Sequence, residues 1–283
     1  MSEGGFFKAS SPQEACGLLA QYGKSARLLA GGTDLMVAVN RRQFKPEVLI
    51  YLGDCGLDGI KEEGGSLVIG AATTFSSILD SDLVRKRTPL LAEVVSHIAS
   101  PAVRNMGTIG GNLANASPAA DSATALLALG ATLRLVHPDR QSETPVAEFF
   151  TGPGETILTE GEMITEVVVP FQAPRAGWAY RKLGKRKAQT LSVVSVAVYC
   201  PLEGDVVKGC RIALGAVAPT PILATRAAEL LEGQALNETL IAEAARAATE
   251  ATAPIDDVRG TAWYRRRAAE AVVKLLLGSI AGG

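Results

Sequence analysis

Histidine and cysteine are scarce in this sequence. Among 283 residues there are two histidines, His97 and His137, and four cysteines, Cys16, Cys55, Cys200 and Cys210. None of the cysteines falls in a C-x-x-C pair, so neither a zinc knuckle nor an iron–sulfur cluster finds ligands at usable spacing within the chain. With two imidazoles, an all-protein transition-metal site is not expected, and no catalytic His or Cys constellation stands out. A surplus of charge is lacking too. The formal net charge of −1 argues against nucleic acid as the main partner, because phosphate binding draws on a basic excess. No apolar run reaches membrane-spanning length; residues 191–202 come nearest and are too short. The opening Met-Ser-Glu-Gly-Gly has no basic stretch leading into an apolar one, so no secretory leader is expected. These absences point to a cytoplasmic protein with reduced thiols.

What is present fits an ordinary globular chain, 47% apolar and 20% charged, long enough for two or three small domains without a disulfide or metal staple. Ser11-Pro12-Gln13-Glu14 is a helix start, with serine as N-cap, proline at the first helical position and glutamate completing a capping box before 15–22. A buried strand at 27–30, a glycine pair, a helix over 35–40 and a strand over 48–52 make a small βαβ unit with parallel pairing. Beyond it lie a strand at 66–71, a helix capped by Thr74, an amphipathic helix over 90–98, an apolar helix over 123–129, and strands at 132–137 and 163–170. The stretch 100–121 between those helices is dense in Gly, Asn, Ala and Ser, too small and polar for core. Pro, Gly and Ala around 170–176 mark a boundary. Strands over 178–183, 191–200 and 206–217 then suggest a three-stranded antiparallel meander, followed by helices over 225–231, 238–251 and 261–277, the last stopped by Gly278. The expected class is α+β, in three consecutive parts: 1–53, 54–172 and 173–283.

Two glycine-rich segments carry the chemistry. Ala30-Gly31-Gly32-Thr33-Asp34-Leu35 ends a strand in a double glycine and starts a helix. Glycines let a ligand approach bare backbone, and the first-turn amides of the helix offer N–H donors to an anion. It is neither a Walker loop nor a Rossmann G-x-G-x-x-G. Gly107-Thr108-Ile109-Gly110-Gly111-Asn112-Leu113-Ala114-Asn115 continues to Asp121 with small residues at nearly every position. Extended backbone there could lie against a flat ligand, with Asn112, Asn115, Ser117 and Asp121 reaching hydroxyls of a ribityl or ribose chain. Either segment alone could equally be a chain turn. Two of them, each beside a buried element, favour a dinucleotide held between subdomains.

The strings Ala30-Gly31-Gly32-Thr33-Asp34 and Thr108-Ile109-Gly110-Gly111-Asn112 resemble the paired FAD motifs of the xanthine dehydrogenase and carbon monoxide dehydrogenase family of molybdenum hydroxylases, found there in the medium, flavin-binding subunit. The resemblance extends through Ala116-Ser117-Pro118-Ala119-Ala120-Asp121, Tyr180-Arg181-Lys182-Leu183 and Pro254-Ile255-Asp256-Asp257-Val258-Arg259-Gly260. It implies a vanillyl-alcohol-oxidase-type two-part FAD-binding domain followed by an α/β C-terminal domain. Leu29 and Ala30 to Leu35 would wrap the diphosphate; Thr108, Gly110, Gly111, Asn112 and Ala114 would meet diphosphate and ribityl oxygens. Asp121 would hydrogen-bond a ring-side or hydroxyl-bearing part of FAD, Ile164 would pack near one end of it, and Tyr180 with Lys182 would lie near the isoalloxazine. Ile98, followed by Ala99, stands where NAD-using members place an aromatic residue over the flavin. That leaves the external acceptor open between NAD, a quinone, another carrier and oxygen.

The implied function is electron transfer. A large molybdopterin-binding subunit hydroxylates the substrate, two [2Fe–2S] clusters of a small subunit pass the electrons on, and FAD in this chain delivers them, the whole forming a dimer of heterotrimers. The cofactor carries the redox chemistry, so no protein acid, base or nucleophile is demanded. The cysteine-rich loop of the benzoyl-CoA-type reductases in the family has no counterpart here. A self-contained FAD oxidase acting on a small substrate, or a scaffold that has lost the cofactor, are the alternatives. The basic run Arg181, Lys182, Lys185, Arg186 and Lys187 reads as a solvated hairpin or as compensation for flavin charge. Arg265-Arg266-Arg267 reads as a surface or subunit-contact patch, His97 as a satisfied polar neighbour, and Trp178 and Trp263 as core or interface anchors.

Overall fold

The computed structural model describes residues 5–186 and 190–282; the leader expectation at residues 1–4 and Lys187 of the basic run lie outside them. The first sheet is parallel throughout. Strands β1 (Gly5–Lys8), β2 (Ala26–Leu29) and β3 (Val48–Tyr51) lie in the order β1–β3–β2, joined by helices α1 (Pro12–Tyr22) and α2 (Leu35–Asn40). The expected βαβ unit is present, with β1 added at its edge. The Ser11 hydroxyl accepts from the Glu14 amide, but the Glu14 carboxylate reaches back to Ser10 rather than to the cap itself.

The second sheet is antiparallel. Strands β4 (Ile60–Glu63), β5 (Ser66–Gly70), β6 (Thr132–His137) and β7 (Arg140–Pro145), with β10 (Met163–Pro170), lie in the order β4–β5–β10–β6–β7. Between β5 and β6 come helices α3 (Phe75–Asp80), α4 (Asp82–Arg87), α5 (Pro89–Ser96), α6 (Pro101–Arg104), α7 (Ile109–Ala114) and α8 (Asp121–Leu129); a turn α9 (Val146–Phe149) and the hairpin β8 (Phe150–Gly152) with β9 (Glu155–Thr156) follow β7. Leu67, Ile69, Leu133, Leu135 and Val167 pack on α5 and α8 in the largest core. The outer face is charged: Arg134 bridges Glu63, Glu143 and Glu166. The segment 100–121 departs from expectation. Ile109 and Leu113 are fully buried, and 109–114 is a helical turn rather than extended backbone.

The third sheet runs β11 (Ala176–Leu183), β12 (Val194–Glu203), β14 (Arg211–Gly215), β15 (Ile222–Leu223), with β13 (Val206–Val207) paired to the end of β12. Three strands were expected and five are found. Gly209, at φ +68°, breaks the run 206–217, so it supplies two strands instead of one. Helices α10 (Thr225–Leu231), α11 (Glu238–Glu250) and α12 (Ala262–Ala281) cover one face. The other receives α8, whose C-terminal carbonyls at Ala128 and Leu129 are capped by Arg211. Gly278 does not stop α12. The helix continues because Ile280, two residues on, packs against Gly177 of β11.

Two surface expectations also change. Arg265 is 2% exposed, not part of a surface patch; it donates to the Ala216 carbonyl and pairs with Asp257. Trp178 and Trp263 are 36% and 71% exposed, so neither is a core anchor. All four cysteines are buried free thiols. Among the described residues no helix is long and apolar enough to cross a membrane, and no group of His, Cys, Asp and Glu is placed to hold a metal.

Candidate functional site

A cleft of about 850 Å³ opens where the first sheet, α7, the start of α8 and the β11–β12 loop meet. Its floor is set by glycine. The chain leaves β2 and turns at Gly31–Gly32, with Gly32 in the left-handed region at φ +68°. A Cβ on Gly31 would lie 1.7 Å from the Met106 carbonyl oxygen, so only glycine lets residues 30–35 settle against 106–108. Thr33 completes that contact: its hydroxyl would be 3.3 Å from a Cβ on Gly107. The amides of Thr33, Asp34 and Leu35 open α2, where the helix itself provides no acceptor for them.

The second motif is tied down differently. Thr108 caps α7 by accepting from the Gly111 amide at 3.1 Å. The Ile109 amide donates to Thr73 and the Gly110 amide to Ala71, at 3.1 and 2.8 Å. A Cβ on Gly110 would sit 2.6 Å from that of Ala71. These N–H groups therefore hold α7 against the β5–α3 connection. What they leave facing the cleft is a smooth glycine surface with Asn112 and Asn115 along it. The Asn112 carbonyl oxygen accepts from Ser122 at 2.6 Å, which fixes its plane.

The third group crosses between the second and third sheets. Asp121, the first residue of α8, and Lys182 of β11 form an ion pair at 2.6 Å with side chains 6% and 10% exposed. Lys182 also donates to the His97 carbonyl at 3.2 Å, and Ser192 donates to the other Asp121 oxygen at 2.5 Å. Tyr180 packs against His97 with ring centroids 5.7 Å apart and planes tilted by 46°, and the His97 Nε2 meets Glu93 at 3.0 Å. The Tyr180 hydroxyl is buried near the Asp121 carboxylate without meeting hydrogen-bond geometry. Burial first, and the Asp121 charge second, push its phenol well above the usual range. Ile98 and Ala99 close this end of the cleft, Ala99 at φ +45°, a strained value for a residue with a Cβ.

Nearly all the site residues singled out from the sequence line this one cleft. Leu29, Ser117 and Tyr180 do not; the Ser117 hydroxyl accepts from the Ala119 amide instead. Leu29 points the other way along β2, beneath Gly32, and Leu28 lines the cleft in its place; Tyr180 lies behind Lys182. Sequence reasoning missed Phe44, stacked by the Arg27 guanidinium at 5.5 Å, as well as Glu162, Leu158 and Leu191. None of these sits in a motif, and Leu191 reads as the start of a strand. A groove of about 910 Å³ on the charged face of the second sheet contains Arg134 and its glutamates and neither glycine motif.

The chain matches the family described as the FAD binding domain in molybdopterin dehydrogenase over residues 2–172, and the CO dehydrogenase flavoprotein C-terminal domain over residues 178–280. It is 39% identical over 267 residues to the carbon monoxide dehydrogenase medium chain of Hydrogenophaga pseudoflava, covering 94% of this chain and 93% of that one. It is 32% identical over 272 residues to the glyceraldehyde dehydrogenase medium chain of Sulfolobus acidocaldarius, covering 96% and 94%. The solved carbon monoxide dehydrogenase of Hydrogenophaga pseudoflava that lacks the Mo-pyranopterin moiety superposes with a TM-score of 0.94 at 39% identity, over 96% of this chain and 95% of that one.

Proposed function

The chain belongs to the FAD-binding flavoprotein family of molybdopterin dehydrogenases, and from that premise we propose that it is the electron-transfer subunit of a molybdenum hydroxylase complex. The observation that carries this reading is the seating of Gly31 against Met106, which brings both glycine motifs to one wall of a cleft sized for a dinucleotide. Bound FAD supplies a carrier that joins one-electron donors to two-electron acceptors. The protein's own residues bind and orient it. Residues 30–35 present first-turn amides to the diphosphate, and Gly110 and Gly111 line the wall it would lie along while Asn112 and Asn115 meet hydroxyls. Ile98, Ala99 and Ile164 supply apolar walls. Lys182, held by Asp121, places a positive charge beside the end of the cleft where the ring would lie.

Electrons would arrive from two [2Fe–2S] clusters of a small subunit, and the substrate would be hydroxylated at the molybdopterin of a large one. We read the first two sheets as a vanillyl-alcohol-oxidase-type two-part FAD domain, divided near residues 53 and 172, and the assembly as a cytoplasmic dimer of heterotrimers delivering to an external acceptor. The exposed Ile255, Val258 and Trp263 supply an apolar surface for subunit contact.

The test is spectroscopic. The purified full chain, reconstituted with FAD, should show protein-bound oxidised-flavin bands; free flavin alone after gel filtration would sink the reading. Co-expression with its large and small partners should then give a complex whose substrate reduces that flavin.

A further inference from the structure

We propose that Ser192 is a positioning residue for the cofactor: its hydroxyl fixes the Asp121 carboxylate so that the Lys182 ammonium faces the ring end of the cleft. The inference rests on the reading that FAD occupies this cleft. Its basis is how the donors are divided. Asp121 has two carboxylate oxygens and each receives one donor, from the loop before β12 and from β11: Ser192 Oγ on Oδ1 at 2.5 Å and Lys182 Nζ on Oδ2 at 2.6 Å.

Ser192 is fully buried, and the clasp of the Val193 amide on the Leu183 carbonyl at 2.8 Å holds it at the base of the β11–β12 loop. The hydroxyl therefore has little freedom to do anything but donate to Asp121. With Oδ1 satisfied, the carboxylate cannot swing to offer both oxygens to the ammonium. Lys182 keeps one carboxylate oxygen and the His97 carbonyl, and directs its remaining N–H into the cleft it lines.

Without the serine, the buried Oδ1 loses its donor, and the Tyr180 hydroxyl nearby does not meet hydrogen-bond geometry with the carboxylate, so the loss is costly. The carboxylate then turns onto Lys182 and withdraws its positive charge from the cleft. That loss falls mainly on reduced flavin, which carries added negative charge. Oxidised flavin, neutral in the ring, is affected little. Ser192 thus acts on the balance between two oxidation states through Asp121 and Lys182 and touches neither the cofactor nor the substrate.

The full chain reconstituted with FAD tests this. Affinity for oxidised FAD would be read from flavin fluorescence, and the midpoint potential by dye equilibration. Ser192→Ala should hold oxidised FAD within about threefold of the wild type and bind reduced FAD about tenfold more weakly, which lowers the potential by about 30 mV for a two-electron couple. Ser192→Thr, which keeps the hydroxyl, should restore it. Ser192→Cys, close in volume with a weak donor, should behave as alanine does and carries the test should the alanine variant not fold. Ala and Cys variants that melt earlier but keep the wild-type potential would overturn the proposal and leave Ser192 a packing residue. Failure of the wild type itself to retain FAD would instead overturn the cofactor reading.

Discussion

The backbone of Gly31 lies so close to Met106 that an added Cβ would stand 1.7 Å from its carbonyl oxygen. The obstacle is main chain, which cannot rotate away as a side chain could. Gly31→Ala should therefore push the first motif off the second, costing about 1–3 kcal/mol of stability and weakening FAD binding at least tenfold. Gly17, in the exposed middle of α1 with nothing within 4 Å of its would-be Cβ, is the control. There alanine should stabilise by about 0.5–1 kcal/mol through helix propensity alone and leave FAD affinity unchanged. Urea unfolding with a flavin titration on each variant checks both. Equal behaviour of the two variants would refute the argument.

The same contact shows how far the sequence could be read. Glycine at 31 and 110 is legible because no other residue tolerates such approach; α2 is legible from the glycine turn that precedes it, and β6 from the alternation Leu133-Arg134-Leu135. Strands β4 and β7, Ile-Lys-Glu-Glu and Arg-Gln-Ser-Glu-Thr-Pro, escaped notice because they are the two edges of the second sheet. Edge strands carry charge to discourage pairing with other chains, and so lose the apolar alternation that marks a strand. Ser192 and Phe44 were invisible for another reason: each joins the site through tertiary contact from a distant element, with no local pattern to mark it. In the second motif only the backbone differs: 109–114 is helical instead of extended, since Ile109 and Leu113 face the core and the Ile109 and Gly110 amides bond to Thr73 and Ala71, a tertiary pull that the small-residue composition does not show.

Asp121→Asn should be severe. It removes the anion from an ion pair whose lysine side chain is only 10% exposed, leaving the Lys182 ammonium with neutral oxygens and no counter-charge from Asp121. Breaking one side of such a buried pair costs about 3–5 kcal/mol. Chemical denaturation should show that loss, and FAD affinity should fall with it. A variant within about 0.5 kcal/mol of wild type, on the scale of ordinary surface changes, would mean that the pair is open to water.

Asp257 predicts an acid-side effect. Its carboxylate accepts from Arg259 at 2.7 and 2.9 Å and pairs with Arg265. Arg259 above all, with Arg265, holds it well below the usual carboxylate range, against the opposing effect of burial. A depressed folded-state pKa contributes stability that is present above the unfolded value, about 3.9, and is lost as pH falls towards the folded one. The stability difference between wild type and Asp257→Asn should thus be largest near neutrality and shrink below about pH 4. Denaturation midpoints for both proteins at several pH values read it directly; parallel curves would contradict it.

Trp263 separates folding from assembly. It is 71% exposed on the first turn of α12, beside a turn at 254–260 that Asp257 and Arg259 hold in one conformation. Val258 on that turn is 88% exposed. Because the turn is already ordered, a partner docking there loses little conformational entropy, and an exposed tryptophan in such a place has the character of a binding hot spot. Trp263→Ser removes no core contact, so the isolated chain should keep its melting temperature to within about 0.5 kcal/mol of stability and retain FAD. Recovery of the large and small subunits on co-purification should fall sharply. A variant chain that assembles as well as the wild type would move the subunit interface elsewhere on the molecule, since the side chain has nothing else to lose.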